Sequence, residues 1–373
     1  MSNLPVKVLQ IGMTYNPGGV ESYLLQQFYA LDRTKVTYDF VNLTSEHDIV
    51  AQDELIAAGC KVFAIIRRRK HPFKNMYQWL KLLTNEKYDF IVLNAVNLEY
   101  VFPLVIAKCF GISGRIIHSH NSGFNHKIGF LRKLRINFNT MLLHRCATHY
   151  FACSEIAGKW MFGNKINFTV IRNAIKPDVF IFDKIKRKKV RQQLNIKNEF
   201  VIGHVSRFSY QKNHLFLIEI FSEFVKKRPD AILLLVGGDV GEGTIWKQCH
   251  ELVSERGLKD KVLFLGARND VPDLMQAMDC FVLPSFFEGL PLVGIEAQAS
   301  GLPCYFSDTI TREVGITELA HFISLQNKEA WVESFLYASN VKRVNRKEEI
   351  VRAGYDITNE IRKIQQFYLN KSQ

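Results

Sequence analysis

With 373 residues, 47% of them apolar and 23% charged, the chain has the composition of an ordinary globular protein and enough length for two domains with ample cores. The net charge of +13 is unusual and predicts polyanionic partners: nucleic acid, an anionic membrane face or phosphorylated substrates. Seven cysteines are scattered singly, without C-x-x-C or a Cys/His cluster, which argues against a disulfide framework or a zinc site and for a reducing, cytoplasmic compartment.

The opening residues enter a strand, Val6 to Ile11, without the basic and apolar segments of a signal peptide. The loop G-M-T-Y-N-P-G-G-V-E follows, and a helix is predicted from near Val20. Gly18 and Gly19 let backbone approach a ligand where side chains would block it; the plainer reading is an ordinary strand-to-helix turn. The dinucleotide fingerprint G-x-G-x-x-G is absent. Strands are predicted at Val36 to Val41, Val62 to Ile65, Phe90 to Leu93, Arg115 to His118 and Tyr150 to Ala152. Helices such as Met76 to Leu83 and Tyr100 to Lys108 lie between them. That alternation predicts a doubly wound parallel sheet with ligands beyond the strand ends. The longest apolar runs, Val101 to Ala107 among them, fall short of the roughly 20 residues of a spanning helix, so any membrane contact is expected to be peripheral.

From Tyr100 through Ser154 there is no Asp or Glu, while seven Lys and Arg residues and five histidines occur. Gly129 to Ile136 mixes apolar and basic residues. Lys127, Arg132, Lys133 and Arg135 are therefore expected on an interfacial helix at an anionic leaflet, with Arg67 to Lys70 adding to the same half. The plainer reading is a solvated basic face. His118-Ser119-His120-Asn121 ends a strand, which is expected to put both imidazoles at the mouth of the crevice, where either could hydrogen-bond a sugar hydroxyl.

Phe168 to Ile171 is the last predicted strand of the first half. Between Lys184 and Arg191 six of eight residues are basic, which suggests an exposed connector and a hinge. The pattern restarts at Val201 to Val205 and continues through Ala231 to Val236, Val262 to Leu265, Cys280 to Leu283 and Cys304 to Phe306. Arg207 and Lys212 fall on one loop after the first of these strands, as two cations suited to a diphosphate. No D-x-D pair is present to hold a metal there, so metal-independent chemistry without a cofactor is expected. Beyond Asp308 the chain reads as mainly helical, ending in a helix from Tyr355 to Leu369.

The stretch Ser285 to Ser300, S-F-F-E-G-L-P-L-V-G-I-E-A-Q-A-S, joins a buried strand to a helix. Pro291 suits the helix's first turn, leaving the Leu292 and Val293 amides free for an anion. Seven residues separate Glu288, in the loop, from Glu296, one turn into the helix. Side chains on a helix lean toward its N-terminus, so both carboxylates are expected to face one crevice. Each could hold a vicinal diol, with a diphosphate between. Spacing alone leaves open that Glu296 is a surface acid and Glu288 a first-turn helix acid.

E-G-L-P-L-V-G-I-E, entered from D-C-F-V-L-P-S and left by A-Q-A-S-G-L-P, resembles the E-x7-E signature of the retaining glycosyltransferases of family four. The likeness is concentrated in Val262 to Pro303. It implies the GT-B fold: two Rossmann-like α/β domains facing across a cleft, an acceptor domain at 1–178 onto which helix 355–373 packs back, and a donor domain at 179–354. It also implies transfer of a hexose or N-acetylhexosamine from a UDP-sugar to a lipid-linked glycan in capsule or exopolysaccharide biosynthesis, by a protein peripheral on the inner face of the plasma membrane. Similarity to family segments gives Glu288 with Gly289 and Leu290 to the donor sugar, and Glu296 to the ribose. Gly19, Arg207 and Lys212 go to the diphosphate, the loop ending at Arg268 to the base, and His120 rather than His118 to the active site. A nucleotide-sugar epimerase or hydrolase, or a non-catalytic glycan-binding protein of the same fold, are the alternatives. A nucleic-acid binder would explain the charge, yet no binding module is recognisable.

Overall fold

The computed structural model describes residues 4–15, 18–43, 46–121, 123, 129–239 and 243–371. The chain forms two compact units, one comprising Met1–Ala174 with Ile357–Gln373 and the other Ile175–Asp356.

The first unit runs β1 (Val6–Ile11), α1 (Gly19–Ala30), β2 (Val36–Asn42), α2 (Gln52–Ala57), β3 (Val62–Ala64), α3 (Pro72–Asn85), β4 (Phe90–Ala95), α4 (Phe102–Cys109), β5 (Gly114–Ser119), α5 (Phe130–Cys146), β6 (His149–Ala152), α6 (Glu155–Phe162) and β7 (Thr169–Val170). Its strands pair in the order β3-β2-β1-β4-β5-β6-β7, all parallel. Helices cover both faces, which is why β4 (FIVLNA) is buried at every position instead of alternating. One core cluster joins the sheet to Trp79 and Leu82 of α3, Leu104 of α4 and Leu143 of α5. The other joins it to Tyr23 and Phe28 of α1 and to Ile361 and Tyr368 of the C-terminal segment.

The second unit runs α7 (Lys184–Gln193), β8 (Phe200–Val205), α8 (His214–Lys227), β9 (Ala231–Val236), α9 (Thr244–Glu255), β10 (Val262–Phe264), α10 (Val271–Ala277), β11 (Cys280–Leu283), α11 (Leu292–Ala299), β12 (Cys304–Ser307), β13 (Ala320–Ile323), α12 (Lys328–Ala338) and α13 (Lys347–Arg352). The strand order is β10-β9-β8-β11-β12-β13, again parallel throughout. The chain then forms α14 (Ile357–Lys371) on the first unit. There the buried Glu360 carboxylate accepts from the Arg172 amide at 3.1 Å, and Tyr368 packs on Tyr38 and Phe90.

Two expectations are corrected. Ala320–Ile323, read from sequence as part of a helical tail, is a sixth strand paired to β12. It is four residues long and only partly buried, too short for its periodicity to be read. Lys184 to Arg191 is likewise no connector; it is α7 of the second unit, capped by Asp183, whose Oδ1 accepts from the Ile185 and Lys186 amides. Arg187 and Arg191 lie one helical turn apart and turn inward. Arg187 donates to the Gln276, Ala277 and Met278 carbonyls at the end of α10 and to Asp279 at 2.6 Å. Arg191, 7% exposed, donates to the Lys197, Glu199 and Ala277 carbonyls. Guanidinium forks thus satisfy orphan helix carbonyls where the dipole favours cations. Replacing Arg191 by Ala should cost about 3 kcal/mol in urea unfolding, because the Lys197 and Glu199 carbonyls lose the guanidinium that serves them, whereas Lys188→Ala on the exposed face should stay within about 0.5 kcal/mol.

Candidate active site

In the second sheet the strand order reverses between β8 and β11, since β8 leads outward to β9 and β10 while β11 leads the other way to β12 and β13. Loops leaving the carboxyl ends of two such strands splay apart and leave room for a ligand. Both loops carry residues singled out from the sequence. Arg207 and Lys212 follow β8, and Glu288 and Gly289 follow β11.

These loops are sewn to each other. The Phe286 amide donates to the Gln211 carbonyl at 2.9 Å, and the Gln211 amide group donates to the Phe287 carbonyl at 2.7 Å and to Glu288 Oε2 at 3.1 Å. Asn213, in the left-handed region at φ 56°, caps the seam by donating from Nδ2 to the Pro284 carbonyl. Lys212 Nζ meets Glu288 Oε1 at 2.5 Å, with the two side chains 15% and 8% exposed. The lysine predicted for the diphosphate and the glutamate predicted for the sugar therefore form an ion pair. Arg207 stands exposed on the same loop and makes no ion pair among the described residues.

Behind the loop, His204, Ser206 and His214 form a buried chain. His204 Nδ1 lies 2.7 Å from the Val282 carbonyl and Nε2 2.6 Å from Ser206 Oγ, which is 3.3 Å from His214 Nε2. The carbonyl can only accept, so His204 is the Nδ1–H tautomer and accepts a hydrogen bond from the Ser206 hydroxyl at Nε2. Burial lowers the pKa of His204 to about 4 and of His214 to about 2. Both rings are neutral near pH 7. Gln211, Asn213 and this chain were missed from sequence. The run S-Y-Q-K-N held the first two, but only the fold shows that they face β11.

Helix α11 begins at Leu292, with Pro291 at its N-cap (φ −76°, ψ 95°) one position earlier than the sequence suggested. The Gly294 amide is already bonded to the Pro291 carbonyl, while those of Leu292 and Val293 have no backbone acceptor among the described residues. They point out of the helix N-terminus beside the partly buried Leu290, where backbone charge favours an anion. One turn on, Glu296 is partly exposed, and desolvation by the protein packed around it raises its pKa to about 7. No hydrogen bond or ion pair holds that carboxyl among the described residues. Arg268, by contrast, is engaged, with its guanidinium gripping Asp270 at 2.8 and 2.6 Å. What remains for a ligand on that loop is backbone, where Gly266 holds φ 66° and its carbonyl accepts from Gly237.

The remaining candidates belong to the first unit. Gly19 is the exposed first residue of α1, and a Cβ there would meet nothing within 4 Å. Glu21, unremarked in the sequence, is buried and ties the preceding loop down by accepting from the Thr14 amide at 3.0 Å and hydroxyl at 2.8 Å. His118 is not at a crevice mouth. It is 1% exposed, its Nδ1 lies 3.3 Å from the Tyr23 hydroxyl, and burial holds its pKa well below the usual value. Positions 118 and 120 share a side of the strand and their rings lie 4.1 Å apart, with His120 one residue past the strand end and the less buried of the two. Its Nε2 is 3.0 Å from Asn94 Oδ1, its Nδ1 has no partner among the described residues, and burial lowers its pKa to about 3. Lys127 lies outside the described residues. Arg132 and Arg135 both pair with Glu99, which leaves Lys133 unpaired on α5 among the described residues.

Among the described residues no three His, Cys, Asp or Glu side chains converge as a metal site, and no helix is long and apolar enough to cross a membrane.

Residues 186–348 match the family model described as glycosyl transferases group 1. Over 95% of the chain it is 29% identical to EpsF of Bacillus subtilis (strain 168), whose name assigns it provisionally to glycosyl transfer, and covers 94% of that protein. It is 25% identical, over 98% of its length and 97% of the relative's, to the Escherichia coli UDP-Gal:alpha-D-GlcNAc-diphosphoundecaprenol alpha-1,3-galactosyltransferase. The crystal structure of HepE from Anabaena in complex with UDP superposes with a TM-score of 0.79 at 20% identity, over 98% of this chain and all of that one. The fold is GT-B and the protein is a glycosyltransferase.

Two measurements probe the site directly. Lys212→Met strips the counter-charge from a nearly buried Glu288 and should cost about 3 kcal/mol in unfolding, whereas Glu288→Gln keeps an acceptor for Gln211 and Lys212 and should cost less than half of that. Glu296 has a folded pKa raised above its unfolded value, so between about pH 4.3 and 7 the unfolded chain is ionised while the folded carboxyl keeps its proton. Stability therefore falls as pH rises, by up to about 1.4 kcal/mol per unit from this group. Glu296→Gln should remove that slope, read as a stability gain over wild type that is larger at pH 8 than at pH 5.

Proposed function

We propose that the protein transfers a hexose or N-acetylhexosamine from a UDP-sugar to a lipid-linked glycan in surface polysaccharide biosynthesis, with retention of configuration and without a metal ion. The observation that carries this reading is the pair of carboxylates around the α11 N-terminus at the reversal point of the second sheet, with Arg207 and Lys212 on the adjoining loop. The UDP held by the Anabaena neighbour and the diphosphoundecaprenol acceptor named for the Escherichia coli relative support the donor and acceptor classes.

In this mechanism the Leu292 and Val293 amides, Lys212 and Arg207 take the charge that develops on the diphosphate as the bond from the anomeric carbon to its oxygen breaks. Electrostatic stabilisation of this kind needs donors already fixed in place. The bonded seam between the two loops fixes Lys212, and the helix fixes the amides. Glu288 orients the sugar hydroxyls and Glu296 the ribose. The acceptor oxygen bonds to the anomeric carbon on the face the diphosphate leaves, and its proton passes to a phosphate oxygen. No side chain is left as a covalent nucleophile in this scheme. On the first unit, which takes the acceptor, the neutral His120 ring offers its Nδ1 to a hydroxyl.

UDP at about 100 times its Kd should stabilise the protein by roughly 2.7 kcal/mol in thermal unfolding, GDP and ADP less, and a chelator should change nothing. Glu288→Gln should keep the UDP shift and lose transfer from the matching UDP-sugar by about 100-fold or more. Unaltered transfer by that variant, or stabilisation that disappears with the chelator, counts against the reading.

A further inference from the structure

The first unit carries more exposed apolar side chain than a solvated helix layer needs, and it is arranged in two stripes. On α3, Phe73 is 82%, Met76 41%, Tyr77 63% and Leu80 41% exposed, while Asn75, Trp79, Leu82 and Leu83 face the core. At 3.6 residues per turn the four exposed residues span about 100° of the helix opposite the buried ones. On α5, Phe130 is 80%, Leu131 79%, Leu134 57%, Phe138 55% and Met141 43% exposed, again within about 100°. Both helices sit on the same core cluster, with α4 packed against each of them. The stripes therefore lie on one side of one sheet.

Charge around the stripes is of one sign. Neither helix contains an Asp or Glu. Lys74 and Lys81 border the α3 stripe, Lys133 and Arg145 accompany that of α5, and Arg69 stands in the segment leading into α3. None of these five forms an ion pair among the described residues. Nearby acids are already engaged, Glu99 by Arg132 and Arg135, and Glu46 by Lys70 and Arg67. Arg68 lies over the Phe102 ring at 4.0 Å, which ties the basic segment to α4.

We infer that α3 and α5 together form a bearing surface for an anionic lipid leaflet, with the two stripes entering the acyl boundary and the unpaired cations at the headgroups. This rests on the lipid-linked acceptor proposed above and deepens it by naming the surface that brings the enzyme to that acceptor. The chemistry favours lipid over a protein partner, because apolar stripes edged by long flexible cations match the headgroup-to-acyl gradient. Interfacial binding strengthens with the apolar area inserted and with attraction to anionic lipid, so the second stripe, on α3, is the decisive element.

Flotation of the full chain with phosphatidylcholine vesicles, with and without phosphatidylglycerol, tests the surface. Wild type should float with the anionic vesicles and much less with phosphatidylcholine alone. Phe73→Ser with Tyr77→Ser, both exposed, should lower the bound fraction about fivefold or more, as should Phe130→Ser with Leu134→Ser, while the thermal shift with UDP stays unchanged. Lys74→Glu with Lys81→Glu should abolish the preference for anionic vesicles. If wild type does not float, or the α3 double variant floats like wild type, the surface is wrong. It is also wrong if light scattering shows a dimer that the α3 variant dissociates, since the stripes would then cover a second copy. Transfer to a water-soluble acceptor separates the two proposals: transfer without flotation leaves the enzyme reading standing and sinks the surface, and flotation without UDP binding or transfer does the reverse.

Discussion

Gln211 and Lys212, reaching across from the loop after β8 to the loop after β11, hold the candidate site together. A parallel sheet that reverses its strand order leaves two loops with no reason to stay together, because nothing in the strand ladder extends past the carboxyl ends. Here one backbone bond, three side-chain amide bonds and a nearly buried ion pair close that gap. The ion pair fixes both of its members. A buried carboxylate and ammonium satisfied by each other hold Glu288 at the helix mouth and Lys212 beside it, which is the preorganisation that stabilising a developing charge requires.

The neutral histidine chain below this seam serves the same end. His204 and His214 are kept uncharged by burial, so His204 can accept a hydrogen bond from the Ser206 hydroxyl and lock the start of the Arg207–Lys212 loop without placing further positive charge under two cations. Glu296 is the opposite case. Its carboxyl has no partner among the described residues, and desolvation by the surrounding protein holds it near neutrality, a cost that a hydroxyl-bearing ligand would offset. Arginines in the second unit do structural work of a different kind. Arg187, Arg191 and Arg343 converge on the carbonyls that end α10, and burial lowers the pKa of Arg343 to about 9. Part of the large positive charge is thus internal scaffolding, and only part is a surface offered to partners.

Sequence by itself determined the alternating α/β architecture, because β4, β8, β9 and β11 are apolar runs bounded by turn residues and nearly every strand was legible within a residue or two. It also marked Glu288, Glu296, Arg207, Lys212 and Gly19, since E-x7-E at a strand-to-helix turn is a local pattern with a local physical reason. Tertiary structure decided the rest. Whether a basic run is solvated depends on which carbonyls lie opposite, and so Lys184 to Arg191 turned from connector into a buried-arginine helix. How deep each imidazole lies depends on where β5 ends, which leaves His118 fully buried and His120, against it, partly exposed. The pairing of Lys212 with Glu288, 76 positions apart in the chain, follows from strands β8 and β11 being neighbours. Only the folded chain shows which apolar residues of α3 and α5 find no core. Burial, pairing and exposure are properties of what a residue meets across the fold, and no window of sequence contains that.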